Sequence, residues 1–443
     1  MTTSYREPAD YRGLMELERS LLEERLSAHK ASTLKGHEGD RFLNAARDDV
    51  LYLPTAALVE EPSLLAELNG LLGEAGLRPF IEEESTREPT GAVTVLRRDD
   101  REAENAYETV RERSAARSPA LARVVSHLTR DRLYDAGALV AEPVTLVAAG
   151  TRFGHGIASL EPVEVLAPGP PWRALPGRRP VIAVLDSGID DSHSWLRPSG
   201  AAEPFCVDAA QLGWNPPRSV ATNRLYAGHG TFIAGLVRQV APDVAALSVR
   251  VMHDDGVVYA CDFEQALDWL LQGLIMGTED RRVDVLLIAF GYEEDPGDEP
   301  HTERLRSLLR GIARHDVQIV ASAGNRGHSR KTYPAAFAGE LGFPVTSIGA
   351  TNPGETTQAY YSNHGDWVKR CEVGTGVVST MPRGLDGPRE RPDRPTGFLE
   401  GLTLDPDKFA SGFGRWSGTS FAAAVHAARL AQGLVGAAWA DRL

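Results

Sequence analysis

Five runs of apolar residues in the carboxyl-terminal half of the chain constrain its fold more than any other feature. They are VIAVLD from Val181, VAALSVRVM from Val244, VDVLLIAF from Val283, VQIVASAG from Val317 and VTSIGAT from Val345. Segments with helical periodicity, such as ACDFEQALDWLLQGLIMG and TERLRSLLRGIARH, lie between the later runs. Continuous apolar strands that alternate with helices predict a parallel sheet buried on both faces. The fold class expected for this half is therefore α/β.

The amino-terminal third has a different pattern and predicts a separate, smaller domain. Residues 1–47 are polar and helix-prone without a continuous apolar face, which indicates a solvated leader helix. Residues 48–160 predict the order β-α-β-β-α-β, with strands at DVLYLPTAALV, LRPFIEE, GAVTVLRR and ALVAEPVTLVAAG. This order predicts an α+β domain with the ferredoxin-like arrangement as a candidate. Residues 161–178 are rich in Pro and Gly and predict a linker, so that residues 179–443 form the α/β domain.

Four polar residues stand where the apolar runs end or the helical patterns begin. Asp186 ends the run VIAVLD, and Asn325 follows the run VQIVASAG. His229 lies between two glycines at the start of HGTFIAGLV, and Ser420 opens the Ala-rich helix SFAAAVHAARLA. Alone, each has an ordinary explanation as a turn residue, a helix cap or a surface residue. Together they stand where open α/β sheets place their functional sites.

The order Asp, His, Asn, Ser, with the block RWSGTSFAAA around Ser420, resembles the subtilisin family of serine peptidases. The resemblance covers about residues 179–436 and implies a three-layer fold with a mostly parallel central sheet. It also implies a serine endopeptidase in which His229 accepts the proton of the Ser420 hydroxyl and Asp186 orients the His229 ring. Asn325 and the Ser420 backbone N–H would form the oxyanion hole. The alternative is a catalytically inactive pseudoprotease that binds peptides without cutting them.

The run LLIAFG resembles the strand that holds the substrate main chain in this family. On that resemblance, an extended substrate would pair as an added strand with Leu287, Ile288, Ala289, Phe290 and Gly291. Gly324 and its neighbours would form the floor of the primary specificity pocket.

Acidic residues follow this strand in the segment YEEDPGDEP. Glu293, Glu294 and Asp295 would lie on the rim of the subsites upstream of the scissile bond, which predicts a preference for Lys or Arg there. Each exposed ion pair contributes only about 0–1 kcal/mol, so a strong preference requires several acids acting together. A solvated acidic loop without a binding role is the alternative.

The predicted amino-terminal domain has two interpretations. Its order of elements matches the prodomains of the subtilisin family, which implies a folding aid or cis-inhibitor that docks on the peptidase domain. Residues 161–180 would then thread through the cleft. A permanently attached substrate-recognition or sensor domain is the alternative.

The charge balance narrows the expected partners. The formal net charge is −14 at pH 7, and an acidic surface repels phosphate backbones and anionic lipids. We therefore expect a protein or peptide substrate as partner, and neither nucleic acid nor a membrane. The amino terminus carries no apolar core of the length that a secretory signal needs, which favours a cytoplasmic location.

The sequence predicts no cofactor and no metal. Cys206, Cys261 and Cys371 are far apart and odd in number, which favours reduced thiols over disulfides. No motif has the spacing of metal ligands. Trp195 stands where the resemblance to the subtilisin family would place a calcium-ligating aspartate, which argues against a calcium site at that position.

Overall fold

The structure is a computed structural model that describes the chain in segments. The described residues are 32–34, 50–59, 69–70, 72–73, 81–82, 94–97, 128–136, 160–163, 169–175, 177–197, 204–219, 224, 226–275, 283–293, 299–385 and 409–440. Most of the predicted leader helix lies outside these residues.

The described residues form eighteen strands and four α-helices of ten residues or more, together with short 3-10 and π segments and α-helical residues at 69–70 and 72–73. The strands are β1 (Ser32–Leu34), β2 (Val50–Val59), β3 (Ile81–Glu82), β4 (Thr94–Arg97), β5 (Leu128–Ala136), β6 (Glu161–Pro162), β7 (Val181–Asp186), β8 (Cys206–Asp208), β9 (Ala245–Arg250), β10 (Val257–Tyr259), β11 (Val285–Ile288), β12 (Phe290–Glu293), β13 (Gln318–Ser322), β14 (Thr332–Tyr333), β15 (Val345–Thr351), β16 (Arg370–Val373), β17 (Val377–Thr380) and β18 (Phe413–Trp416). The α-helices are α1 (His229–Val240), α2 (Ala260–Trp269), α3 (Glu299–Ala313) and α4 (Thr419–Ala440). The short segments are two 3-10 helices, Ala209–Leu212 and Ala335–Gly339, and a π segment, Leu270–Ile275.

Seven strands form the central sheet in the order β16-β15-β13-β11-β7-β9-β8, and every neighbouring pair is parallel. The five predicted apolar runs supply β7, β9, β11, β13 and β15. Helices α1 and α4 pack against each other, α4 also contacts β11, β13 and β15, and α2 packs against α3. The prediction of a three-layer α/β fold with a mostly parallel sheet is confirmed.

The strand order reverses next to β7. The chain leaves β7, forms β8 and β9 on one side of it, and then forms β11 and the following strands on the other side. A crevice at the carboxyl ends of the strands is expected where the order reverses in this way. Asp186 at the end of β7 and Ala289 just after β11 stand at this point.

The amino-terminal strands form an antiparallel sheet. Strand β2 pairs with β4 and β5, β3 pairs with β4, and β1 pairs with β2. Strands β2, β3 and β4 lie in segments for which strands are predicted. Strand β5 lies where none is predicted, and the strand predicted for residues 138–150 falls outside the described residues. The third predicted strand thus pairs with both the first and the second, as in a split β-α-β arrangement.

Strand β5 also pairs with two strands of the α/β region. It is antiparallel to β12, with Ala136 opposite Phe290 and Asp135 opposite Gly291. It is antiparallel to β10, with Asp135 opposite Val257. The backbone of β5 therefore lies between β10 and β12.

The segment 161–180, expected to thread through the cleft, takes a different course where it is described. Strand β6 pairs with β18. Further on, the Arg178 guanidinium donates to both carboxylate oxygens of Asp284, at 2.8 and 2.7 Å, just before β11 begins. This end of the sheet is about 20 Å from the carboxyl end of β7, since six strand residues rise about 3.3 Å each. Residues 178–180 therefore lie at the opposite edge of the sheet from Asp186, which corrects the expectation for this part of the segment.

Two further expectations can be compared with the structure. Cys206, Cys261 and Cys371 all lie within the described residues and form no disulfide. Over the part of the chain that the structure describes, no helix has the combination of length and hydropathy that crossing a bilayer requires.

Candidate active site

A buried Asp–His pair lies at the carboxyl end of the central sheet. Nδ1 of His229 is 2.9 Å from each carboxylate oxygen of Asp186, and the two residues are 0% and 1% exposed. The Ser187 backbone N–H donates to Oδ1 of Asp186 at 2.7 Å. A carboxylate only accepts, so this contact assigns a ring proton to Nδ1, and in the neutral form of the ring Nε2 is then the acceptor. Among the described residues, Nε2 has no hydrogen-bond partner.

Glycines on both sides of His229 allow close packing at the start of α1, and Gly230 is the one that faces the turn after β7. A Cβ on Gly230 would lie 2.3 Å from the carbonyl oxygen of Gly188 and 3.1 Å from Oδ1 of Asp186. A Cβ on Gly228 would lie 2.5 Å from Cε of Met381. Both distances are too short for a real side chain. The Gly-His-Gly sequence therefore permits the close packing that brings the His229 ring to Asp186.

Aromatic rings enclose His229. The ring centroids of Tyr226, Trp416 and Phe421 lie 5.8, 5.4 and 5.3 Å from that of His229. Trp416 and Phe421 are fully buried. This apolar surrounding fixes the orientation of the imidazole and lowers the local dielectric, which strengthens its interaction with Asp186. No sequence pattern predicts that these three rings surround His229.

Ser420 is the second residue of α4 and is fully buried. Its hydroxyl donates to the carbonyl oxygen of Ala289 at 2.9 Å. In this structure the hydroxyl is therefore directed at the residue that follows β11 and not at His229. The start of α4 carries the positive end of the helix dipole, which favours negative charge on a group bound there.

The turn after β13 carries Asn325 and is joined to the start of α4. Oδ1 of Asn325 accepts from the backbone N–H of Thr419 at 2.9 Å. The hydroxyl of Thr419 accepts from the backbone N–H of Gly324 at 3.0 Å. These contacts fix the side-chain amide, and its Nδ2 has no hydrogen-bond partner among the described residues. Thr419 is not among the predicted site residues, although its position next to Ser420 could have indicated it.

Asn363 holds the same turn from the other side and is 1% exposed. Its Nδ2 donates to the carbonyl oxygen of Ala323 at 2.9 Å and to Oγ1 of Thr332 at 3.0 Å. Its Oδ1 accepts from the backbone N–H of Arg326 at 2.9 Å, and its own backbone N–H donates to the carbonyl oxygen of Gly324 at 2.9 Å. One buried side chain thus fixes the backbone on both sides of Asn325.

The residues predicted to hold substrate differ in how their backbones are used. Leu287 and Ile288 lie inside β11, and both are paired with β7 on one side and β13 on the other. No backbone edge of these two residues remains for an added strand. Ala289, Phe290 and Gly291 lie beyond this ladder, and the last two pair with β5.

Glu293 lies in a cluster formed by two arginines and a histidine. Its carboxylate contacts Arg326 at 2.9 Å, His328 at 2.8 Å and Arg330 at 3.0 Å, and the Glu293 side chain is only 8% exposed. Burial opposes ionisation of Glu293, but the hydrogen bond from His328 and the charge of Arg326 outweigh it and lower its pKa to about 2. The charge of Glu293 is therefore balanced within the protein. Glu294 and Asp295 lie outside the described residues.

The described residues offer no group of three or more side chains suited to hold a metal ion. Trp195 stands at the position where the subtilisin family would place a calcium ligand, and its ring packs edge-on against Phe413 with centroids 4.9 Å apart.

One protein family matches the part of the chain that carries these four polar residues. The sequence profile of the subtilase family, Peptidase_S8, matches residues 177–439, which is more than half of the chain. The chain belongs to the subtilase family. The matched residues of this subtilase include Asp186, His229, Asn325 and Ser420, and the match begins after strands β1 to β6.

Curated relatives of this subtilase include bacterial peptidases. An intracellular serine protease of Paenibacillus polymyxa is 25% identical over 236 residues, which cover 50% of this chain and 64% of the relative. The major intracellular serine protease of Bacillus subtilis is 24% identical over 237 residues, which cover 50% of this chain and 66% of the relative. The chain thus spans about two thirds of the length of these relatives. A solved structure of a cold-adapted subtilisin-like serine proteinase superposes with a TM-score of 0.41 at 20% identity, over 59% of this chain and 76% of that chain.

Proposed function

We propose that this subtilase is a serine endopeptidase that hydrolyses peptide bonds with Asp186, His229, Ser420 and Asn325. The observation that carries the proposal is the buried Asp186–His229 contact, which leaves Nε2 of His229 without a partner among the described residues. A base oriented by a carboxylate, near a hydroxyl at a helix start, is the arrangement that activates a serine nucleophile.

In the proposed reaction, the Ser420 hydroxyl turns from the Ala289 carbonyl to Nε2 of His229 by rotation about χ1. His229 accepts the proton as Oγ attacks the peptide carbonyl, and the buried Asp186 carboxylate stabilises the imidazolium that forms. His229 then donates the proton to the leaving amine. Water repeats the sequence on the acyl-enzyme and regenerates the Ser420 hydroxyl.

Asn325 would stabilise the oxyanion of the tetrahedral intermediate. Its Oδ1 is held by Thr419, so Nδ2 is the donor that remains for a ligand. Loss of one such donor lowers kcat by on the order of 10²–10³. The backbone N–H of Ser420, at the start of α4, would supply the second donor.

Labelling by a fluorophosphonate probe tests this proposal. The wild-type chain should form a covalent adduct at Ser420, and Ser420→Ala should form none. Mass spectrometry of the labelled peptide identifies the modified residue. A folded wild-type chain that resists the probe, even after proteolytic nicking between the two sheets, would contradict the proposed activity.

We further propose that the amino-terminal region inhibits the peptidase in cis, as in the prodomain interpretation. The support is the pairing of β5 with both β10 and β12, because β12 carries Phe290 and Gly291, which a substrate would use. The triad is also buried, at 0–1% exposure, so substrate entry requires an opening step. The occupying residues would be those at the end of β5 and not those of segment 161–180.

Self-cleavage distinguishes a prodomain from a permanent recognition domain. If β5 occupies the substrate strand, the active chain should cut itself within the residues that follow Ala136, which are Gly-Ala in the sequence. The Ser420→Ala chain should stay full length. A wild-type chain that stays uncut while fully active would favour a recognition domain instead.

The preference for Lys or Arg upstream of the cut remains a proposal, and it now rests on Glu294 and Asp295. Glu293 contributes little because Arg326 and Arg330 already balance its charge and His328 also contacts its carboxylate. A peptide-library profile that does not change in the double variant Glu294→Ser, Asp295→Ser would contradict the preference. A cytoplasmic location is likewise proposed, supported by the two relatives named as intracellular proteases.

A further inference from the structure

Two glycines face the space that would receive the side chain next to the scissile bond. Gly291 lies on the proposed substrate strand, and Gly324 precedes Asn325 with a φ of +97°. A substrate carbonyl held between the Ser420 hydroxyl and the Asn325 amide has its own side chain beside this strand and this turn. Walls formed by glycine leave room for that side chain.

Thr332 fills the space between these two walls. A Cβ on Gly291 would lie 2.8 Å from Cγ2 of Thr332 and 2.8 Å from the carbonyl oxygen of Tyr333. A Cβ on Gly324 would lie 2.5 Å from Nδ2 of Asn363 and 3.5 Å from Oγ1 of Thr332. The Thr332 residue is only 6% exposed. Thr332 therefore packs its methyl group against the wall at Gly291 and places its hydroxyl beside the wall at Gly324, where Asn363 fills the remaining space.

The structure also fixes the orientation of Thr332. Strand β14 pairs with β12, with Thr332 opposite Glu293 and Tyr333 opposite Tyr292. Nδ2 of Asn363 donates to Oγ1 of Thr332 at 3.0 Å. Threonine has few χ1 rotamers, and rotation that moved Cγ2 away from Gly291 would also break this hydrogen bond. The methyl group is thus a fixed part of the pocket.

We propose that Thr332 closes the primary specificity pocket, so that the enzyme cleaves after Gly, Ala or Ser and not after large residues. This inference rests on the proposed peptidase function and specifies its substrate class. Phe or Leu would collide with Cγ2 in a packed site that cannot enlarge at low cost. The small residues Gly137 and Ala138, which follow β5 in the sequence, are compatible with such a pocket.

The test compares two peptide phosphonate probes on the full chain, identical except for an Ala or a Phe side chain beside the reactive phosphorus. The ratio of their labelling rates at Ser420 measures selectivity, and the fraction of chains with an open cleft cancels in that ratio. The wild-type ratio should favour Ala by at least ~10-fold, the minimum effect of small volume changes in such pockets.

Matched variants separate volume from hydrogen bonding. Thr332→Gly and Thr332→Ser both remove Cγ2. We expect Thr332→Gly to shift the ratio toward Phe by ~10-fold or more, and Thr332→Ser to shift it by a smaller factor. Thr332→Val keeps the volume and removes only the hydroxyl, so it should keep the wild-type preference for Ala. Thr357→Gly, in an exposed turn, controls for an added glycine and should not change the ratio.

The outcomes distinguish this inference from the function on which it rests. Labelling of Ser420 by both probes at similar rates in the wild type would refute the role of Thr332 and leave the peptidase function standing. The role of Thr332 would also be refuted, with the peptidase function left standing, if Thr332→Val relaxes the preference for Ala and Thr332→Ser does not. A chain that neither probe nor a small fluorophosphonate labels would refute the peptidase function and this inference with it.

Discussion

Replacement of Asn363 by Ala tests how the turn that carries Asn325 is held. The substitution removes the donor to the Ala323 carbonyl and the acceptor for the Arg326 N–H. It also removes the hydrogen bond to Thr332. The variant keeps the backbone contact with Gly324, because that bond uses the main chain of residue 363.

The expected effect on stability follows from the groups left behind. A buried polar group without its partner costs about 1–3 kcal/mol. The two backbone groups that lose Asn363 therefore destabilise the fold by roughly 2–6 kcal/mol, less where water replaces the amide. Since a domain is stable by only about 5–15 kcal/mol, we expect a clear fall in melting temperature but a folded protein at low temperature.

The effect on catalysis should exceed what the unfolded fraction explains. If the turn relaxes, Nδ2 of Asn325 no longer stands at the oxyanion, and kcat should fall by up to 10²–10³ at nearly constant KM. The assay measures kcat and KM separately for a small-residue peptide amide, at a temperature where circular dichroism shows each variant folded. Asn363→Asp, which keeps the acceptor for Arg326, should retain more activity than Asn363→Ala.

Asn352→Ala is the matched control, because Asn352 also donates to a hydroxyl and a carbonyl, those of Thr357 and Gln358, but in an exposed loop. It should leave kcat and the melting temperature close to wild type. The reasoning fails if folded Asn363→Ala has the wild-type kcat, or if its kcat falls no further than its folded fraction.

Three further predictions follow from single contacts. Ser420→Ala should abolish labelling and self-cleavage and lower the melting temperature only modestly, since the buried Ala289 carbonyl loses one donor at a cost of about 1–3 kcal/mol; undiminished turnover would rule out the nucleophile. Gly230→Ala should lower both turnover and melting temperature, because its Cβ would lie 2.3 Å from the Gly188 carbonyl; a stable, fully active variant would show that the helix start can move. Because the pKa of Glu293 is lowered to about 2, its ionised form stabilises the fold above the unfolded pKa near 4.3, by at most ~3 kcal/mol before screening, and this contribution is lost as pH falls from about 5 to 2. The melting temperature of wild type should therefore fall more steeply over that range than that of Glu293→Gln, and parallel curves would contradict the lowered pKa.

The central sheet could be predicted from sequence because its signals are local. A buried parallel strand requires a short continuous apolar run, and VIAVLD and VDVLLIAF are such runs. The polar residue that ends a run is visible in the same way. Asp186 and the Gly-His-Gly around His229 could therefore be selected without any knowledge of which segments meet.

The contacts that complete the site could not be predicted, because they join segments far apart in the chain. Nothing near Asn363 shows that its amide reaches Ala323, and nothing near Thr332 shows that its methyl faces Gly291. Glu293 belongs to a run of acids that suggests a solvated loop. Its cationic partners lie in the loop after β13, so its burial becomes visible only in three dimensions.

Strand β5 could not be predicted from the sequence for a different reason. Its sequence, LTRDRLYDA, carries four charges and has no regular alternation of apolar and polar residues. Backbone pairing with β2, β10 and β12 forms the strand instead, and pairing of this kind overrides side-chain propensity. A peptide substrate would bind in a peptidase cleft in the same way, as an added strand held by backbone hydrogen bonds.

That similarity between β5 and a substrate has a consequence for how the proposed enzyme would be regulated. A tethered strand has an effective concentration on the order of mM at its site, so a dissolved peptide that makes the same backbone bonds must approach that concentration to displace it. Peptides at μM concentration would therefore react slowly with the intact chain, however well their side chains fit the pocket beside Thr332. Two events remove this competition: a cut after Ala136, which converts the strand into a dissociable product, or a ligand that holds the amino-terminal strands away from β12. The first leaves a permanent change in chain length and the second is reversible, so the time course of labelling after dilution distinguishes them.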